Sequence, residues 1–123
     1  MQKLFLIIAA IYGALAVGLG AFGAHAFKNM LETSHRAETY ETAVKYHFWH
    51  TLALIAVALL IEKFNTNYLQ ISGWAFIIGI AIFSGSLYAL CFTGINKLGA
   101  ITPIGGLSLI LGWIMLAIAV IRG

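Results

Sequence analysis

His47 and His50 stand three residues apart in Tyr46-His47-Phe48-Trp49-His50, where a polar stretch runs into a long apolar one. That spacing puts both imidazoles on one side of a helix. Imidazole is a common ligand for zinc, copper and nickel, and His25 could complete a set of three from a neighbouring helix. The spacing by itself is a weak metal signal, because no carboxylate or cysteine shares the histidine face at that level. Two other roles fit the same residues. Neutral imidazoles tie membrane helices together by hydrogen bonds, or they line a site for an organic ligand, a lipid headgroup or a proton. His35 reads as a solvated loop residue. Ser84-Gly85-Ser86 suggests a nucleophile or a phosphate-binding turn, and neither fits well. A glycine-rich phosphate cradle opens a helix, whereas this one lies inside an apolar run. A serine nucleophile needs a base within hydrogen-bond reach, and the histidines alone could serve. The sequence therefore does not read as an enzyme, and it implies no cofactor.

The elements that position these groups follow from composition. Of 123 residues, 62% are hydrophobic and 9% charged, against about 25% charged in a soluble domain. So short a chain cannot cover that much apolar surface, and a lipid bilayer is the simpler solvent. The net charge of +3 comes from basic residues that are mostly dispersed singly. No basic cluster with interleaved aromatics points to nucleic acid. The one cysteine, Cys91, lies within an apolar run and reads as a small packing residue.

Four apolar runs, at about residues 4–27, 46–61, 68–93 and 101–121, are each long enough to span a bilayer. The fold class predicted is all-α: a polytopic membrane protein with four transmembrane helices in an antiparallel bundle, one domain over residues 1–123. Lys3, the first apolar run and Ala24-His25-Ala26 imitate a signal peptide with its cleavage site. The run extends nearly to that site and three more spans follow, so it reads as an uncleaved span. Ala9, Gly13, Ala16, Gly20 and Gly23 recur every three or four positions there, a small-residue stripe that lets another helix approach closely.

Residues 28–45 form a polar loop with a helical extension. Ser34 is a candidate N-cap, and from His35 no Gly or Pro interrupts the chain until well past Ile61. The second helix should thus be extended at its N-terminal end, about 27 residues and roughly 40 Å long. At 100° per residue Arg36, Tyr40, Ala43, His47, His50, Thr51 and Leu54 share one face, and Glu38, Glu41, Thr42, Lys45 and Trp49 the other. Lys45 above Trp49 looks like a headgroup anchor, which turns the histidines into the bundle. Glu62 to Tyr68 is a short polar turn, with Tyr68 and Trp74 as interfacial aromatics. Thr102 is a good N-cap with Pro103 at the first helical position. Trp113 is too deep for a belt residue and should lie between helices.

Alternating topology brings His25, His47, His50, Ser84, Ser86, Tyr88 and Thr102 into one membrane half, the side of the two longer loops. With Tyr40 on the histidine face, these are the candidate ligand- or partner-binding residues. The opposite half, where both termini lie, is mostly Leu, Ile and Ala. Lys3, Lys63 and Arg122 on that side face Lys28, Arg36, Lys45 and Lys97 on the other, a split that assigns no orientation by the positive-inside rule. The partners implied are the bilayer, a second copy of the chain or a membrane protein docked on the charged helical stretch. Transport of an ion or small molecule is an alternative that needs an oligomer, since four helices fill their own core. A purely structural interaction subunit is another.

Gly20-Ala-Phe-Gly-Ala-His25, Tyr46-His47-x-x-His50 running into Leu52-Ala-Leu, Phe83-Ser-Gly-Ser-Leu-Tyr88, Thr102-Pro-Ile-Gly-Gly106 and Gly112-Trp113 stand in order along the chain. In these motifs the chain resembles the YgdD/YwdK-like family of small bacterial inner-membrane proteins. Ala26 stands where the family is expected to show Gly. The resemblance covers essentially the whole chain and implies a four-span, multi-pass protein of the bacterial plasma membrane. It carries over no reaction.

Overall fold

A segment inside hydrocarbon must satisfy its own backbone, and this chain does so with helices. The computed structural model describes residues 1–64 and 66–123. In chain order the helices are α1 (Gln2–Ala24), α2 (Lys28–Thr33), α3 (Ala37–Leu60), α4 (Asn67–Thr93) and α5 (Thr102–Arg122), with a 3-10 turn at Asn96–Ala100. α1, α3, α4 and α5 are each long and apolar enough to cross a membrane, so the polytopic all-α fold is the one expected. Successive spans pack as antiparallel neighbours. At one end Gln2 Nε2 donates to the Ala58 carbonyl (3.0 Å), and at the other the Tyr40 hydroxyl donates to the Leu19 carbonyl.

α3 and α4 form the middle of the bundle. The protein itself buries 44% and 50% of their apolar spans, against 17% for α1 and 22% for α5. The two outer helices differ in how they meet α4. α5 comes close because glycines allow it. A Cβ on Gly105 would stand 2.7 Å from the Phe83 Cα, and one on Gly79 would stand 2.6 Å from a Leu109 methyl. α1 instead packs its small stripe on α3, with Gly13 facing Thr51 and Gly20 facing Val44. It reaches α4 through longer side chains: the Tyr12 hydroxyl donates to the Ile77 carbonyl (3.0 Å), and Phe5 occupies the space beside Gly73. Phe5, Leu54, Val57, Leu69 and Phe76 are fully buried and fill the axis of the half that holds the termini. That half also contains polar ties absent from the expectation: Ser72 Oγ donates to the Gly112 carbonyl and Ser108 Oγ to that of Ala75, both at 2.7 Å.

The loop between the first two spans departs from the reading of one helix from His35 onward. α2 ends and α3 begins afresh at Ala37. Ser34 closes α2 instead of capping α3, and its hydroxyl turns back to the Leu31 carbonyl (3.3 Å). His35 takes a left-handed φ of 58°. Its amide donates to the Glu32 carbonyl (3.2 Å) and that of Arg36 to Leu31 (3.0 Å), the Schellman pattern with histidine in the usual glycine place. Arg36 then donates to Asn96 Oδ1 (2.9 Å), which joins the two loops of this side. α1 stops at Ala24 because the chain turns into α2, three residues short of the expected end. The Glu62–Tyr68 turn includes Asn65, which lies outside the described residues; α4 opens after it, capped by the Thr66 hydroxyl accepting from the Tyr68 amide (2.9 Å). Thr102 does not cap α5. It is the first helical residue, and its hydroxyl pairs with Ser86.

Candidate functional site

The face of α3 drawn from helical spacing is the buried one: Tyr40, Ala43, His47, His50, Thr51 and Leu54 all lie inside. Trp49 is 52% exposed on the outer face, one turn below Lys45, whose amine pairs with Glu41 at 3.1 Å. From this shared face the two histidines part. Three residues on a helix are 60° short of a full circle, enough to send one ring to each side of α4.

His50 points between α4 and α5. Its Nδ1 donates to the Tyr46 carbonyl (2.8 Å), so its Nε2 is the acceptor, and it takes the Trp113 indole N–H at 3.0 Å. Both nitrogens of a neutral ring are thereby satisfied. Phe76 packs on the His50 and Trp113 rings at 5.7 and 5.2 Å. Trp113 does bridge two helices as its depth suggested, although one face of it is exposed.

His47 points between α1 and α4. Its Nδ1 lies 2.9 Å from the Tyr88 hydroxyl, and the Tyr12 ring meets it edge-on at 5.8 Å. The pairing that leaves no hydroxyl proton idle has Tyr88 donating to Nδ1, which puts the ring proton on Nε2. His47 is 4% exposed, and its Nε2 has no hydrogen-bond partner. A buried donor left this way costs about 1–3 kcal/mol.

Above this ring α1 and α4 stand apart, and a cleft of about 180 Å³ opens toward the bilayer. Tyr12, Leu15 and Leu19 of α1 wall it on one side, and Ile80, Ala81, Ser84, Gly85 and Tyr88 of α4 on the other, with His47 at its floor. The other polar atoms of these walls are engaged: Ser84 Oγ donates to the Ala43 carbonyl (2.8 Å), and the Tyr12 hydroxyl to that of Ile77.

The remaining candidates fall elsewhere. Ser86 and Thr102 pair hydroxyl to hydroxyl at 2.6 Å on the α4–α5 side. Tyr40 packs beside Tyr88 with the rings tilted, 5.5 Å between ring centres, but its hydroxyl is committed to α1. His25 is exposed at the end of α1, where the chain leaves its helical course, so it does not join the other two histidines. With His47 and His50 also turned apart, the proposed three-imidazole metal set is not assembled. No group of three His, Cys, Asp or Glu able to hold an ion occurs among the described residues. Tyr12, Gly85 and Trp113 belong to these clusters and were not among the candidates. Tyr12 is the lone hydroxyl of the first span before His25, a signal that could have marked it.

A family described as protein of unknown function, DUF423, matches residues 19–106, a stretch that includes both buried histidines and most of the cleft. The UPF0382 membrane protein YwdK of Bacillus subtilis is 44% identical over 122 residues, covering 98% of each chain. The UPF0382 membrane protein SAB0533 of Staphylococcus aureus is 43% identical over 123 residues, again 98% of each. A UPF0382 membrane protein of Haemophilus influenzae is 41% identical over 117 residues, 95% of this chain and 93% of its own. No solved structure matches. With its four membrane-length helices, the chain belongs to the DUF423 family of bacterial membrane proteins.

Proposed function

We propose that this protein is a membrane-embedded binding protein whose ligand enters sideways from the bilayer, between α1 and α4, and accepts a hydrogen bond from His47 Nε2. The observation that carries the reading is that unpartnered buried nitrogen beneath a bilayer-facing cleft. Apart from that nitrogen, the walls of the cleft are apolar or already hydrogen-bonded. An apolar molecule with one acceptor suits such walls. Depth narrows the class. His47 lies against Tyr12 near the middle of α1 and shares the cleft with Ile80 and Ala81 near the middle of α4, well below the headgroup level. The ligand class is therefore a neutral, largely apolar molecule with one hydrogen-bond acceptor, for which a monoacylglycerol is the probe. Transport gains no comparable support, since large side chains fill the axis of the other half.

The test is thermal unfolding in detergent with and without a monoacylglycerol. A ligand that occupies the cleft at about ten times its Kd stabilises the native state by roughly 1.4 kcal/mol. A Cβ on Gly85 would meet nothing within 4 Å, so Gly85→Leu can fill the cleft without disturbing the fold. Stabilisation of the native protein that vanishes in Gly85→Leu and in His47→Phe supports the site. Equal stabilisation of all three proteins refutes it.

A further inference from the structure

On the far side of α1 from the cleft, a groove of about 490 Å³ lies among α1, α2 and α3. Its floor is made of small residues, Gly20, Gly23 and Ala24, and its rim carries Lys28, Glu32 and Glu41. A second depression shares Gly20 and Val44 with it and continues along the same face past Ala16, Val17 and Lys45, whose amine is held by Glu41, to Phe48 and Trp49. The two form one channel, charged at the loop end and apolar toward the bilayer interior. Among the described residues the one ion pair is Lys45–Glu41, so Lys28 and Glu32 face the groove with opposite charges not bonded to each other. An anionic headgroup would meet Lys28 but also the uncompensated Glu32. A headgroup with a phosphate and a primary ammonium satisfies both, while its acyl chain follows the apolar continuation over Trp49.

We infer that this groove is a binding site for one zwitterionic phospholipid of the ethanolamine type, with its phosphate on Lys28, its ammonium on Glu32 and one acyl chain along Val17, Phe48 and Trp49. The inference is independent of the His47 cleft, which lies between other helices. Glu32 selects the amine, and Lys28 holds the phosphate that most headgroups share.

Native mass spectrometry of the full chain, released from detergent in an equimolar mixture of phosphatidylethanolamine, phosphatidylglycerol and phosphatidylcholine, reads the preference directly. One retained lipid is expected, with the ethanolamine species favoured by about fivefold, the scale of one exposed charge contact. Glu32→Gln should erase the preference over phosphatidylglycerol. Lys28→Gln should weaken both alike and leave their ratio unchanged. Ala24→Phe, on an exposed position of the groove floor, should abolish retention altogether. Retention without preference, or a preference that survives Glu32→Gln, overturns the assignment and leaves ordinary boundary lipid. Gly85→Leu, which fills the other site, should not change the count.

Discussion

His50 and His47 lie one turn apart on the same buried face, yet their surroundings differ in kind. Between α4 and α5 the backbones are drawn together by Gly79 and Gly105, and the space at His50 is closed by Trp113 and Phe76, with both ring nitrogens bonded. Between α1 and α4 no glycine contact draws the backbones together at the level of His47. Tyr12 bridges with its hydroxyl, a cleft remains, and one ring nitrogen has no partner. The lesson is that helix spacing decides whether a buried imidazole is glue or a site. Where helices touch, a polar group finds its partner in the protein. Where they stand apart, the partner must come from the bilayer.

The tight α4–α5 side should be the more sensitive to substitution. Gly105→Leu forces a side chain into the Phe83 backbone, and overpacking of this kind should destabilise by about 3 kcal/mol, read as unfolding in an SDS titration. His50→Phe comes next. It strands the Trp113 N–H and should cost about 1–2 kcal/mol in the same titration. His47→Phe should cost less, about 0.6 kcal/mol, because one bond is lost and an unsatisfied donor is removed with it. Adding Tyr88→Phe should recover most of that loss, since a pair deleted together leaves nothing unpaired. If His47→Phe proves as damaging as His50→Phe, the asymmetry fails. The smallest effect is expected at Arg36→Ala, which removes the exposed contact between the two loops and should change stability by less than about 0.5 kcal/mol.

Much of this architecture was legible in the sequence. Apolar runs marked the spans, and 100° spacing picked the buried face of α3 down to Tyr40, His47, His50 and Leu54. The α1 stripe correctly foretold a close helix contact, because small residues have few other uses at regular spacing in a membrane helix. The break at Ser34–Arg36 was not legible. Its left-handed residue is His35, and a Schellman ending without glycine leaves no local mark. The exposure of His25 was also hidden, since it follows from α1 stopping at Ala24. Above all, periodicity places residues on a face but says nothing about how far away the next helix stands. The different fates of His47 and His50 rest on that distance, which is set by Gly79 on α4 and Gly105 on α5 on one side and by Tyr12 of α1 on the other.

The nitrogen NMR signal of isotope-labelled His47 in lipid bilayers, followed as a monoacylglycerol is added, reads the site itself. A ligand bonded to His47 requires that Nε2 carries the proton, that its resonance moves on addition, and that it stays fixed in Gly85→Leu. A proton on Nδ1, or an Nε2 resonance indifferent to the added lipid in the native protein, would contradict it.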